Sequence, residues 1–160
     1  MIGTKLYKGQ FTEEQYAKCA DWCNETQLAT IEEHEEHYEV VEIPAPSLDE
    51  LKQSKINELK TIRDTEEVKP IAYNGNSFDF DDKARDRINS AIIALSITGQ
   101  SIEWTTTDNT NVLVTADDLR GVVAAVAVRS NKLHTAYRIA KEKVEEATTA
   151  ADVEAIILNI

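Results

Sequence analysis

The chain has 160 residues, of which 42% are hydrophobic and 29% are charged, a composition typical of a globular protein that can bury a core. Its 29 acidic residues outnumber the 17 Lys and Arg, which gives a formal net charge of -12. Because this charge repels phosphate backbones and anionic lipids, it excludes nucleic acid and membrane surfaces as expected partners.

The N-terminal segment lacks the apolar run of a signal peptide, and no segment approaches the roughly 20 apolar residues of a membrane span. We therefore expect a protein that is made in the cytoplasm and does not insert into a membrane. The two cysteines, Cys19 and Cys23, are one helical turn apart and badly placed to bond each other. We expect both to be reduced thiols.

Residues 1–45 are predicted to form a small α/β module with the order strand, helix, strand. Thr12 and Gln15 have the spacing of a capping box, which predicts the start of the helix. The positions that repeat with helical spacing and would face the core are Tyr16, Cys19, Ala20 and Cys23. A second strand is predicted over "HYEVVEI" at 37–43.

The segment "PAPSL" at 44–48 predicts a boundary, because a proline disfavours helix in the residue before it. Ser47 and Glu50 form a second capping box after it. Few residues of the following helix are apolar, so we interpret residues 46–66 as a connecting helix. Residues 67–160 are then predicted to form a C-terminal domain of hairpins and helices.

The first predicted hairpin turns at Asn74-Gly75, because both central positions of the favoured two-residue turn need a positive φ. Tyr73 and Phe78 lie in its two strands. Asp81 or Asp82 is the predicted cap of the next helix, which Gly99 ends.

The second predicted hairpin turns at Asp108-Asn109 and carries Trp104 in its first strand. Trp104 and Asp108 suggest two interpretations. They could be an aromatic platform and a carboxylate for a sugar, or a packed sheet residue and a turn residue that bonds the local backbone. We favour the second interpretation.

Thr115 and Asp118 predict the cap of a long last helix over about 116–147. Apolar residues recur along it at near-heptad spacing, and the seam includes Val126, Leu133, Tyr137 and Val144. This seam could pack on the chain's own hairpins or form the contact of a homo-oligomer. The spacing does not distinguish the two.

Cys19, Cys23, His34 and His37 are the candidate metal ligands, since thiolate and imidazole both bind zinc. Their spacing only approaches that of a zinc finger. The alternative is that the cysteines are core residues and the histidines are exposed, and we favour it. His134 is expected to be a packed or hydrogen-bonded histidine. We therefore predict no cofactor and no catalytic residue.

Four segments of the C-terminal part form a distinctive combination. They are "RD" at 63–64, "YNGNSFDFDDKARDRI" at 73–88, "IEWTTTDNTNVLVTADDL" at 102–119 and "LHTAYRIAKEKVEEATTAADVEAI" at 133–156. With them, residues from about 55 to 158 resemble an uncharacterised C-terminal domain family of bacteriophage tail and tail-fibre-associated proteins. The N-terminal part is similar, more loosely, to small phage tail proteins.

The resemblance implies a place in the tail of a virion, and it brings no active site with it. We expect an α+β, non-enzymatic structural or adaptor protein of the tail fibre or baseplate, with other tail proteins as partners. A homo-oligomer such as a trimer would suit a fibre. The alternatives are a tail-fibre assembly chaperone that is absent from the mature virion, and a small metal-binding regulatory protein.

Overall fold

The computed structural model describes the whole chain, residues 1–160. Five helices and three small antiparallel sheets confirm the predicted α+β class. The chain divides into two compact units, Met1–Pro46 and Ser47–Ile160. None of the helices combines the length and the apolarity that crossing a membrane requires.

The first unit is a three-stranded sheet with one helix. Its elements are β1 (Lys5–Tyr7), α1 (Glu13–Thr26), β2 (Ala29–Glu33) and β3 (His37–Glu42). The strand order is β1-β3-β2, and both pairings are antiparallel. The predicted capping box at the start of α1 is confirmed, because Thr12 and Gln15 bond each other's backbone N–H groups.

The two faces of this sheet have different surroundings. Val40 of β3 is buried with Cys19 and Cys23 of α1 in a small hydrophobic core. Because successive strand residues point to opposite faces, Glu39 and His37 lie on the face turned away from that core.

Strand β2 is a feature that the predicted order of strand, helix and strand leaves out. Helix α1 ends at Gln27, which adopts the left-handed conformation with φ 56° and donates its N–H to the Cys23 carbonyl oxygen. Glycine usually occupies such a position, so a glutamine there does not indicate from the sequence that the helix ends. The acidic residues Glu32 and Glu33 then weaken the strand signal of β2.

The second unit contains all the remaining helices and strands. In chain order they are α2 (Leu48–Glu67), β4 (Ile71–Tyr73), β5 (Asn76–Phe78), α3 (Asp82–Thr98), β6 (Ile102–Thr105), β7 (Asn111–Val114), α4 (Ala116–Glu146) and α5 (Ala150–Glu154). Strands β4 and β5 form one hairpin, and β6 and β7 form the other.

The helix ends of this unit follow the capping signals of the sequence. Ser47, Asp81 and Thr115 each accept a hydrogen bond from a backbone N–H of the first turn, at the start of α2, α3 and α4. Gly99 ends α3 with φ 66°. These local predictions are confirmed.

Helix α4 takes part in two separate hydrophobic clusters. Near its start, Leu119 and Val122 join a cluster with residues of both hairpins and of α3. Near its end, Ala140 and Val144 join Leu59 of α2 in a second cluster. At about 1.5 Å per residue, the 31 residues of α4 extend over about 46 Å and reach both clusters.

Helix α2, which the sequence suggests as a connector, packs along α4 and α5 as part of the second unit. Leu59 is fully buried at this contact, and Lys52 Nζ donates to the Glu145 carbonyl oxygen at 2.8 Å. A narrow apolar stripe on a highly charged helix is sufficient for this packing.

Arg129 of α4 supplies hydrogen-bond donors to the end of α2. Its Nη2 donates to the Glu67 carbonyl oxygen at 2.7 Å, and its Nη1 donates to the Lys69 and Pro70 carbonyl oxygens at 2.7 and 3.0 Å. Burial lowers the pKa of the Arg129 guanidinium, while nearby glutamates oppose this effect. Arg129 therefore caps the C-terminal end of the neighbouring helix α2.

Replacing Arg129 by methionine is expected to lower the free energy of unfolding by about 1.5–3 kcal/mol, because three carbonyl groups lose a charged donor. Urea denaturation measures this change. The control is Arg138→Met, which removes an exposed ion pair with Glu142 at 2.8 Å. We expect it to change stability by less than about 1 kcal/mol. Equal losses in the two variants would contradict the capping role.

Candidate functional site

The first hairpin turns where the sequence predicts. Asn74 and Gly75 have φ values of 47° and 78°, as a type I′ turn requires at both central positions. The Asn76 side-chain amide donates to the Asn74 carbonyl oxygen at 3.2 Å and braces the turn. Phe78, at the end of β5, is 2% exposed and anchors the hairpin in the core.

Tyr73 explains a glycine in the interior of α4. A Cβ atom at Gly121 would overlap the Tyr73 ring, so the ring approaches the helix backbone through the space a side chain would occupy. Glycine in a helix interior costs about 1 kcal/mol relative to alanine. The close packing of the first hairpin on α4 accounts for its presence.

The second hairpin ends in a hydrogen-bonded turn around Asp108. Its Oδ1 accepts from Thr106 Oγ1 at 2.6 Å, from Thr110 Oγ1 at 2.8 Å and from the Thr110 backbone N–H at 3.2 Å. These bonds, with that from Thr106 the largest, lower the pKa of the Asp108 carboxyl. Asn109 completes the turn in the left-handed conformation, with φ 61°.

The two hairpin tips lie side by side. The backbone N–H of Thr107 donates to the Ser77 carbonyl oxygen at 3.0 Å, and its hydroxyl donates to the same oxygen at 3.3 Å. A cleft of about 300 Å³ lies between the tips. It is lined by Ala72, Gly75, Asn76, Ser77, Thr106, Thr107 and Asp108, which we call the hairpin-tip surface.

The hairpin-tip surface joins two turns that the sequence identifies only separately. Of its lining residues, Ala72, Gly75 and Asp108 are exposed, and the Asp108 carboxylate can accept a hydrogen bond from a partner. Sequence reasoning missed Thr106, Thr107 and Ser77. The threonine-rich run "TTTDNT" at 105–110 is the one signal of this turn network.

Trp104 is a core residue and is not available as a platform for a sugar. It is 8% exposed and belongs to the cluster that holds Phe78 and Leu119. The Arg87 guanidinium lies 5.0 Å from the centroid of its ring. Because Asp108 is engaged in the turn, the structure has the packing and turn arrangement that we favoured.

The apolar seam of α4 is covered within the second unit. Val126, Leu133 and Val144 are 8%, 2% and 0% exposed, respectively. Tyr137 packs against the second cluster, with the Arg63 guanidinium 4.6 Å from its ring centroid. The seam is thus an internal contact, and an oligomer of this protein stays a prediction that this seam does not support.

The four candidate metal ligands do not form one site. Cys19 and Cys23 are buried under the helix-facing side of the sheet, whereas His37 lies on the other side. His34 stacks on His37, with ring centroids 4.7 Å apart. Instead of the cysteines, Glu39 joins the histidines, and one ligand atom from each of the three lies within 4.8 Å of the others.

Glu39 lies outside the zinc-finger spacing of the cysteines and histidines, so that spacing does not predict it. In "HYE" at 37–39, alternation along a strand places the first and third residues on one face. This two-residue period is the sequence feature that indicates that Glu39 lies beside His37.

His134 lies beside a carboxylate in an arrangement that does not activate a serine. Its Nε2 lies 3.2 Å from Glu67 Oε2, while Ser130 Oγ donates to Glu67 Oε1 at 2.5 Å. Since the carboxylate lies between the hydroxyl and the imidazole, this histidine does not take the proton of Ser130. Glu67 and Ser130 line a groove of about 490 Å³ whose apolar part includes Phe80 and Val126.

The second unit is thus an α+β domain in which two short hairpins pack on a long helix. The chain belongs to the family described as domain of unknown function DUF4376, whose profile matches residues 50–157. This match confirms membership in an uncharacterised domain family. No curated protein and no solved structure matches the chain.

Replacing Gly121 by alanine is expected to destabilise the protein by up to about 2 kcal/mol. The overlap with Tyr73 costs about 1–3 kcal/mol, which exceeds the gain of about 1 kcal/mol in helix propensity. In a Tyr73→Ala background the same change is expected to stabilise by about 1 kcal/mol. Urea denaturation of the four proteins measures this reversal, and stabilisation in both backgrounds would contradict it.

The Asp108 turn is expected to make stability depend on pH. The lowered pKa means that the ionised carboxylate stabilises the folded state at neutral pH, and that this contribution is lost as pH falls below about 4. Asp108→Asn should therefore lower the thermal midpoint at neutral pH, with a difference from the parent protein that shrinks towards pH 3.

The control for the loss of one negative charge is Asp79→Asn, at an exposed position outside the turn. A pH dependence that is the same in the two variants would contradict a specific role of the turn.

Proposed function

We propose that this protein is a non-enzymatic structural or adaptor component of a phage tail, associated with the fibre or the baseplate. The resemblance of its C-terminal segments to tail-associated proteins suggests the location. The structural role is supported by the positions of these segments in the fold, where they form turns, helix caps and parts of the core.

The segments that carry the resemblance supply turns, caps and core residues of the second unit. In "YNGNSFDFDD", Asn74-Gly75 forms a turn, Phe78 is buried and Asp81 caps α3. In "IEWTTTDNTNVLVTADDL", Trp104 is buried, and the Asp108 turn and the Thr115 cap follow it. Residues in turns, caps and the core determine the shape of the domain, and a defined shape is what a structural protein requires.

The second unit also presents surface that a protein partner can cover. The hairpin-tip surface is held by hydrogen bonds within and between the tips, so little conformational entropy is lost when it binds. On α3, Ile93 and Ile97 are one turn apart and are 65% and 81% exposed. Adjacent exposed apolar residues of this size support a contact with another tail protein.

Quantitative mass spectrometry of phage particles purified through a density gradient tests the proposal. Copies of this protein are counted against the major tail proteins. We expect a fixed number per particle, in a multiple of three or six. Absence of the protein from purified particles would overturn the proposal.

A tail-fibre assembly chaperone is the alternative, and the net charge of -12 favours it because an acidic surface can shield an unfinished partner. In the same experiment a chaperone is absent from particles and is found in lysate bound to a fibre protein. The count therefore distinguishes the two functions.

The combined change Ile93→Ser and Ile97→Ser is expected to reduce the number of copies per particle severalfold, with little effect on folding, because both side chains are exposed. Val128→Ser on α4 is a matched control, since Val128 is 59% exposed and lies outside the α3 surface. Normal incorporation of the double variant would mean that this part of α3 is not the contact.

A further inference from the structure

The β2–β3 hairpin brings two imidazoles and a carboxylate together. One ligand atom from each of His34, His37 and Glu39 lies within 4.8 Å of the others. His37 Nε2 is 3.4 Å from Glu39 Oε2, and His34 Nε2 is 4.0 Å from the same oxygen.

The backbone of the hairpin fixes this placement. The His34 N–H donates to the His37 carbonyl oxygen at 2.8 Å and closes the turn. His37 and Glu39 are two residues apart on β3 and share a face of the sheet. The rings of His34 and His37 stack with an interplanar angle of 18°. The His37 and Glu39 side chains are only 18% and 24% exposed.

The distances suit a shared cation better than a direct hydrogen bond. A good N–H···O bond measures roughly 2.7–3.2 Å, and the His37–Glu39 distance of 3.4 Å exceeds that range. Tetrahedral zinc with bonds of about 2.0–2.1 Å keeps its ligand atoms about 3.3 Å apart. The 3.4 Å and 4.0 Å separations are longer than this value. Because an ion lies in the plane of each imidazole that binds it, binding requires the side chains to rotate and the His34 and His37 rings to leave their stacked arrangement.

The charges around the cluster also favour a cation. Glu32 of β2 lies directly opposite Glu39 of β3, and like charges in that position destabilise a sheet. Glu32 Oε2 is 3.9 Å from His34 Nε2, so it faces the same cluster. Lys5 Nζ lies 3.2 Å from Glu39 Oε2 and partly offsets the repulsion.

We propose that His34, His37 and Glu39 form a binding site for a divalent transition-metal ion such as zinc. Two imidazole nitrogens and one carboxylate oxygen are a ligand set that such ions accept. Three protein ligands leave a coordination position for water or for a donor atom of another molecule. The cysteines take no part, because they lie under the opposite face of the sheet.

Calorimetric titration of the untagged full-length chain with Zn²⁺ tests the site. The titration is done at about pH 7.5, because metal ligands must be deprotonated. We expect one ion per chain, and His37→Asn should weaken binding about tenfold or more. His134→Asn is the matched control, since it removes the histidine of the second unit, and it should leave binding unchanged. No binding, or an equal loss in both variants, would overturn the proposal.

Lys5→Ala provides a test that does not depend on loss of a ligand. Removing the Lys5 ammonium group, which pairs with Glu39, should tighten zinc binding severalfold, because zinc then no longer competes with the ammonium for the Glu39 carboxylate. A variant that merely disturbed the sheet would bind more weakly. Weaker or unchanged binding in Lys5→Ala would count against Glu39 as a ligand.

The absorption spectrum of the Co²⁺-loaded chain identifies the ligands by a second method. Nitrogen and oxygen ligands give ligand-field bands without the intense thiolate-to-cobalt charge-transfer band in the near ultraviolet. We expect that band to be absent. Its presence would assign the metal to Cys19 and Cys23 and overturn the proposal.

Discussion

The packing of α4 against its neighbours is the interaction on which the second unit depends. Both hydrophobic clusters of that unit include α4 residues, with Leu119 and Val122 in one and Ala140 and Val144 in the other. Strands of three or four residues are too short to be stable as isolated hairpins. Here they are held because their buried side chains pack on α4 and α3.

This arrangement also positions the surface that we assign to partner binding. Phe78 and Trp104 are anchored in the same cluster, so the two hairpins lie next to each other and Thr107 bonds Ser77 across the tips. Gly121 lets Tyr73 approach the helix backbone closely. The hairpin-tip surface is therefore a consequence of the core, and its proposed function rests on shape and hydrogen bonding.

Local features were predictable from the sequence, whereas contacts between distant residues were not. The caps at Ser47 and Thr115 and the Asn74-Gly75 turn depend on neighbours a few residues away, so short patterns specify them. The spacing of Val126 and Leu133 indicates an apolar face but not which surface covers it. The bond from Arg129 of α4 to the end of α2 depends on how the two helices pair in the folded chain. The position of Glu39 beside the two histidines depends likewise on the folded hairpin.

Hydrogen–deuterium exchange of the full-length chain, followed by mass spectrometry, tests the central role of α4 most directly. Amides that open only on unfolding of the whole unit exchange slowest. The account predicts that peptides covering residues 119–144 are the slowest to exchange in the second unit. Exchange of these peptides as fast as that of the turn at 106–110 would contradict it.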